Sequence, residues 1–159
     1  MMKKLELGNP HKRQDYITVD INPVEAGVIK DEAIHFLHTT TDHYEVIESY
    51  NLLEHLPNPG EFLKLCYERL EDGGKCIVVT DNAEWFPFYL PIIHALGIGA
   101  HQSNHYRYIG NSKGATVTVH YMVFSPLHLR NLLTYAGFTK IKVRRTTFGA
   151  RLFGEGIKE

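Results

Sequence analysis

The residues best suited to chemistry crowd one short stretch, Ser49–His55 (SYNLLEH). Tyr50, Asn51, Glu54 and His55 put a phenol, an amide, a carboxyl and an imidazole directly after Tyr44–Tyr50, a run with strand character. Loops at the carboxyl ends of strands are where an open α/β sheet collects its ligands. An imidazole placed there could take a proton from a substrate. The bland alternative is that Glu54 and His55 only cap and brace the loop. A second constellation is Leu5–Gly8 (LELG) followed by Asp20. A glycine after a strand lets a ligand approach the backbone, and an acidic residue ending the next strand can accept from both hydroxyls of a ribose. Asp31 and Glu32 end a third strand, where a carboxylate could meet an adenine amino group or simply form the turn.

These residues need a sheet to hold them. Lys3–Leu7, Tyr16–Ile21 (YITVDI), Gly27–Lys30 and Tyr44–Tyr50 read as strands, each stopped by glycine, an Asn-Pro pair or an acidic turn residue. Pro59–Glu71 reads as a helix. Asn58 caps it, Pro59 takes the first position, and Phe62, Leu63, Cys66, Tyr67 and Leu70 form one apolar face. Gly73 and Gly74 are expected to end it. Lys75–Thr80 (KCIVVT) is a continuous apolar strand suited to the centre of a sheet. Ser125, Pro126 and Gly137 frame a second helix, followed by a strand at Phe138–Thr146 and an antiparallel return at Thr147–Gly154. Between them, residues 81–124 are the least regular part. They offer a helix near Tyr89–Leu96, a Gly/His-rich loop at Gly97–His105 and strand character at Thr116–Phe124. Strands alternating with helices imply a mostly parallel α/β sheet in a single domain, 1–159. One connection is odd: Gly8–Asp15 is too short for an ordinary crossover helix.

Bulk properties narrow the function classes. The chain has 159 residues, 43% hydrophobic and 22% charged, with a net charge of −1 when histidines are neutral. No global basic field is available to hold nucleic acid. The local group Lys140, Lys142, Arg144, Arg145 and Arg151 reads as solvated strand faces. Cys66 and Cys76 read as small core residues. No apolar run suits a membrane span or a signal core, and a cytoplasmic protein is the default expectation. His94, His101, His105, His120 and His128 carry no His-Glu-x-x-His spacing, so no metal site is expected. No Gly-x-Ser-x-Gly elbow supports a serine hydrolase.

The block from Leu52 to Asn82 carries a resemblance. Leu52-Leu53-Glu54-His55-Leu56-Pro57-Asn58-Pro59, Phe62-Leu63, Arg69-Leu70, Gly73-Gly74 and Thr80-Asp81-Asn82 resemble the small class I S-adenosylmethionine (SAM) dependent methyltransferases. Phe124–Leu133 and Ala136-Gly137-Phe138 resemble the family's penultimate helix and strand. The resemblance implies a Rossmann-like seven-stranded sheet, mostly parallel, with its last strand antiparallel. It implies SAM as cofactor and a methyl acceptor that the sequence does not identify. By resemblance, Gly8 and its neighbours Glu6 and Asn9 would meet the methionine part of SAM. Asp20 would bind the ribose hydroxyls, Ile21 would pack on the adenine, and Asp31 would lie beside the adenine amino group. Ser49, Tyr50 and Asn51 would line the sulfonium side. His55 would face the reaction, with Asn82 orienting an acceptor and Tyr50 contacting either ligand. The residues 85–108, rich in aromatics and histidines, would form the acceptor wall or a homodimer contact.

The first motif departs from that pattern. Family members show a Gly-x-Gly pair or better after the first strand, whereas residues 7–13 here read LeuGlyAsnProHisLysArg. Proline at position 10 also removes a backbone donor. An alternative therefore stands beside the enzyme: a methyltransferase-fold protein without catalysis that acts as a binding or interaction module. A third expectation keeps the fold and gives it another nucleotide-like ligand.

Overall fold

The computed structural model describes residues 3–85 and 122–159. Its strands are β1 (Lys4–Leu7), β2 (Ile17–Asp20), β3 (Ile29–Lys30), β4 (Tyr44–Tyr50), β5 (Leu70–Asp81), β6 (Thr139–Arg145) and β7 (Arg151–Ile157). They form one sheet in the order β3-β2-β1-β4-β5-β7-β6. The first five run parallel to one another, and β7 runs antiparallel to both β5 and β6. This is the Rossmann-like α/β arrangement that the resemblance implies. β1 and β2 are adjacent and parallel even though only residues 8–16 join them without a helix.

The helices are α1 (Ala33–Thr39), α2 (Pro59–Arg69) and α3 (Pro126–Ala136). Asn58 caps α2 by accepting from the Glu61 backbone N–H at 3.1 Å, and Pro59 opens it. Ser125 caps α3 by accepting from the His128 N–H at 3.2 Å. Gly137, at φ 105°, closes it. α1 has only Ala33 and Leu37 as buried residues, too short a repeat to stand out in the sequence.

The glycine pair does not end α2. The helix stops at Arg69 because Leu70 turns extended, is fully buried and pairs with Tyr44. Gly73 and Gly74 instead bulge within β5, between the Leu70–Tyr44 and Lys75–Val46 pairs. A Cβ at Gly74 would sit 2.8 Å from the Glu71 carbonyl oxygen, so only glycine fits there. The last strand also lies further along than Thr147–Gly154. Thr146 and Gly149 close a turn first, through Thr146 N–H to Arg151 O (2.9 Å) and Gly149 N–H to Thr146 O (2.8 Å).

Strand register separates the two faces of the sheet. Leu5, Leu7, Val19, Ile47, Cys76 and Val78 share one face. The three helices pack there in a row, α2 between α1 and α3, and the core is continuous from Leu5 to Leu152. Glu6, Thr18, Glu48 and Ile77 share the other face, which among the described residues carries no helix. No described helix is long and apolar enough to cross a membrane. Of residues 81–124, the helix, loop and strand expected across 86–121 lie outside the described residues. Phe124 forms a parallel bridge to Asn82.

Candidate active site

Parallel strands end together, and here their carboxyl ends open onto a cavity of about 400 Å³. That volume falls within the usual range for a small-molecule site, roughly 300–1,000 Å³. Gly8 after β1, Val19, Asp20 and Ile21 on and after β2, and Asp31, Glu32 and Ala33 after β3 form one wall. Leu52, His55, Leu56 and Pro57, from the connection between β4 and α2, form the other. A single 3₁₀ turn at Leu53–His55 turns His55 into this wall. Gly8 sits at φ 81°, and a Cβ there would press on the Leu52 side chain at 3.1 Å. Any larger residue would strain the backbone and push the two walls apart.

The two carboxylates on the rim are held in place. Asp20 Oδ1 accepts from the Asn22 N–H at 2.7 Å. Asp31 Oδ1 accepts from the Glu32 N–H at 2.8 Å and contacts His35 Nδ1 at 2.8 Å. Each keeps its second oxygen outside these bonds. Ile21 is half-exposed between them and offers an apolar surface. Two carboxylates on successive strand ends beside an apolar wall suit a ligand with hydroxyls at one point and a flat, amino-bearing ring at the next.

A methyltransferase domain model matches residues 5–143. The chain belongs to the methyltransferase-domain family. The fold is that of the class I SAM-dependent methyltransferases, for which SAM is the methyl donor. A SAM-dependent methyltransferase from Archaeoglobus fulgidus superposes with a TM-score of 0.69 at 16% identity, covering 99% of this chain and 86% of that one. A SAM-dependent methyltransferase from Thermotoga maritima gives 0.61 at 15% identity, covering 99% and 82%. PigF, solved with SAH, gives 0.59 at 12% identity, and there this chain spans 56% of the other's length. No curated protein sequence matches.

In this methyltransferase-domain chain the remaining sequence-derived residues fall into three groups. Ser49 and Asn51 are at the end of β4, where the Ser49 Oγ and the Asn51 Oδ1 are buried and have no hydrogen-bond partner among the described residues. Asn51 adopts a left-handed backbone at φ 50° while its N–H bonds the Val79 carbonyl at 2.8 Å. Buried polar atoms are rarely left unpaired, so this pair fits a site built to meet a polar ligand. Like Ser49, Asn51 and Asn82, the residues Glu6, Asn9 and Tyr50 lie outside the cavity lining. They join a polar cluster on the helix-free face: Asn9 Nδ2 donates to Glu6 at 3.1 Å, and the Tyr50 hydroxyl donates to Glu48 at 3.2 Å. Asn82 is buried and braces the chain, donating from Nδ2 to the Gly149 carbonyl at 2.6 Å and accepting from the Glu84 N–H at 3.1 Å. His94, His101, His105 and His120 lie outside the described residues.

Sequence reasoning missed Arg13, Tyr16, Glu48 and Thr80. Glu48 is a carboxylate inside a strand that is buried from Val46 to Ser49, which was the available signal. Glu54 was legible as polar but not as buried. It is 1% exposed, and the Thr80 hydroxyl donates to its Oε2 at 2.7 Å. Burial lifts its carboxyl to about 7, against the lowering effect of its own backbone and of Thr80.

Proposed function

We propose that this chain binds SAM in the cavity between Gly8 and Pro57 and transfers its methyl group to an acceptor brought to His55. The observation that carries the proposal is the pair of fixed carboxylates, Asp20 and Asp31, lining one cavity together with Gly8 and His55. Asp20 receives the ribose hydroxyls. Ile21 and Leu56 flank the adenine, and Asp31 accepts from its amino group. Ser49 and Asn51 present their unpaired atoms toward the sulfonium side.

SAM, when bound, supplies an electrophilic methyl for in-line displacement. The protein's part is to orient the acceptor, exclude water and remove a proton where the acceptor carries one. His55 is the base in this account. Tyr50 stands at the edge of the same loop, and Asn82 acts by holding the turn at Gly149 in place.

A specific observation favours a second proposal, a binding module without catalysis. The loop after β1 has Asn9-Pro10 where the family has its second glycine. Titration calorimetry with S-adenosylhomocysteine (SAH) tests the cofactor proposal. One site per chain is expected, and Asp20→Ala should weaken it about tenfold or more, the worth of a hydrogen bond to a charged group. No heat at millimolar SAH would reject the enzyme. SAH binding without turnover of any acceptor class would support the module.

A further inference from the structure

The carboxyl end of β5 carries a second built feature, beyond the cavity lining, where it meets the turn between β6 and β7. Asn82 ties the two together. Its N–H bonds the Ala150 carbonyl (2.9 Å), its Nδ2 donates to the Gly149 carbonyl (2.6 Å), and its Oδ1 accepts from the Glu84 N–H (3.1 Å). Trp85 packs on the same turn, 3.5 Å from where a Cβ on Gly149 would lie. Thr146 closes the turn, giving both its N–H (2.9 Å) and its hydroxyl (3.2 Å) to the Arg151 carbonyl. A turn held this firmly presents Phe148 to solvent, 86% exposed. One exposed ring carries no message by itself. Beside an unpaired guanidinium it does.

Arg151 follows the turn, exposed, at the start of β7. The cations around it are occupied. Arg145 pairs with Glu84, Lys142 pairs with Glu155 (3.3 Å), and the Arg144 guanidinium lies 4.5 Å from the Phe153 ring centroid. Asp81 is the register partner of Arg151, yet among the described residues no ion pair joins the Arg151 guanidinium to it or to any other carboxylate. Lys142, Arg144, Arg145 and Arg151 together outnumber Asp81, Glu84 and Glu155 by one, so this rim is basic. The nucleoside end of the cleft, with Asp20, Asp31 and Glu32, is acidic. Glu54 stands between the two ends. Burial lifts its carboxyl to about 7, and Arg151 is among the groups that pull it back.

Register sets this rim beside the reacting end. Leu152 pairs with Thr80, whose hydroxyl holds Glu54, the residue before His55. The Asn51 N–H bonds the Val79 carbonyl, so the end of β4 adjoins β5, and β5 adjoins β7. From Asn51 to Arg151 the sheet is crossed in two strand spacings, about 10 Å. A single aromatic ring with a short acid tail, met by an arginine side chain, covers that distance.

We infer that Arg151 and Phe148 form the far wall of the acceptor site, and that the acceptor is a flat, apolar molecule bearing one carboxylate. The guanidinium fork takes the carboxylate, and the ring lies against Phe148. The inference rests on the function proposed above, which puts the reacting atom at His55.

Calorimetry on the full chain saturated with SAH tests it, using two probes that differ by one charge: 4-hydroxycinnamate and its methyl ester. The acid should bind about tenfold or more tightly than the ester. Arg151→Gln should reduce that preference to about twofold or less, and Arg151→Lys, which keeps the charge without the fork, should retain part of it. Phe148→Ala should weaken both probes about threefold or more and keep the preference, the loss expected for an aromatic pair. All three variants change exposed side chains, and unaltered SAH affinity verifies that each is folded. Equal binding of acid and ester to the parent protein would overturn the inference. So would a full preference surviving in Arg151→Gln, parental affinity for both probes in Phe148→Ala, or failure of both probes to bind the SAH complex. In each of those outcomes SAH still binds and the cofactor site stands. Failure of SAH itself to bind would defeat that site, and this inference with it.

Discussion

Glu54 shows how a single residue in the signature block can serve stability and site geometry together. Its carboxyl is buried against Thr80, directly before His55. Burial raises it from the ordinary 4.5 to about 7. Between those values the folded protein keeps a proton that the unfolded chain has released. The stability linked to this proton is therefore complete below about pH 4.5 and is lost as the pH rises through about 7, a change on the order of 3 kcal/mol. Glu54→Gln should flatten that dependence, leaving a protein no less stable than the parent at pH 8. Urea unfolding of both proteins at pH 5 and pH 8 checks this, and an equal loss of stability in the variant would contradict it. At this scale the sequence was informative about type and position but not environment. Gly8, Asp20, Ile21, Asp31 and His55 do line one cavity. The partners of Glu6 and Glu48 depend on Arg13, whose approach no local pattern encodes.

Elements were legible where local chemistry decides them. α3 begins and ends at the residues named from its cap, proline and glycine, and β4 has the expected bounds. The end of α2 was not legible, because tertiary pairing of Leu70 with Tyr44 overrides the glycine stop signal three residues later. α1 was missed because two buried side chains make no visible periodicity. In β7, Gly156 marks where Phe138 presses on the sheet, and the Phe138 ring in turn meets Tyr67 edge-on at 5.3 Å. A Cβ at Gly156 would fall 2.7 Å from the Phe138 Cβ. Gly156→Ala should destabilise the protein by about 1–3 kcal/mol through overpacking. Thermal melting measures it, and an unchanged midpoint would contradict this packing.

At the scale of the whole molecule, the described helices cover one face of the sheet only. The β1–β2 connection is too short to place a helix on the other face, so Arg13 and Tyr16 cover Glu6 and Glu48 instead. The sequence showed the short connection but not its consequence, since which face a loop crosses is fixed by the strand neighbours it joins. The same arrangement makes one cleft of the strand ends, with the nucleoside proposed at β2 and β3 and the reacting end proposed at β4. Ligand that binds only this folded cleft should stabilise the whole domain by mass action, by about 2.7 kcal/mol at a hundredfold excess over its dissociation constant. The most direct measurement is a crystal structure of the protein grown with SAH. The account predicts the ribose hydroxyls on Asp20, the adenine beside Ile21 and Asp31, and the sulfur between Asn51 and His55. A nucleoside bound elsewhere, or an empty cleft at saturating SAH, would contradict it.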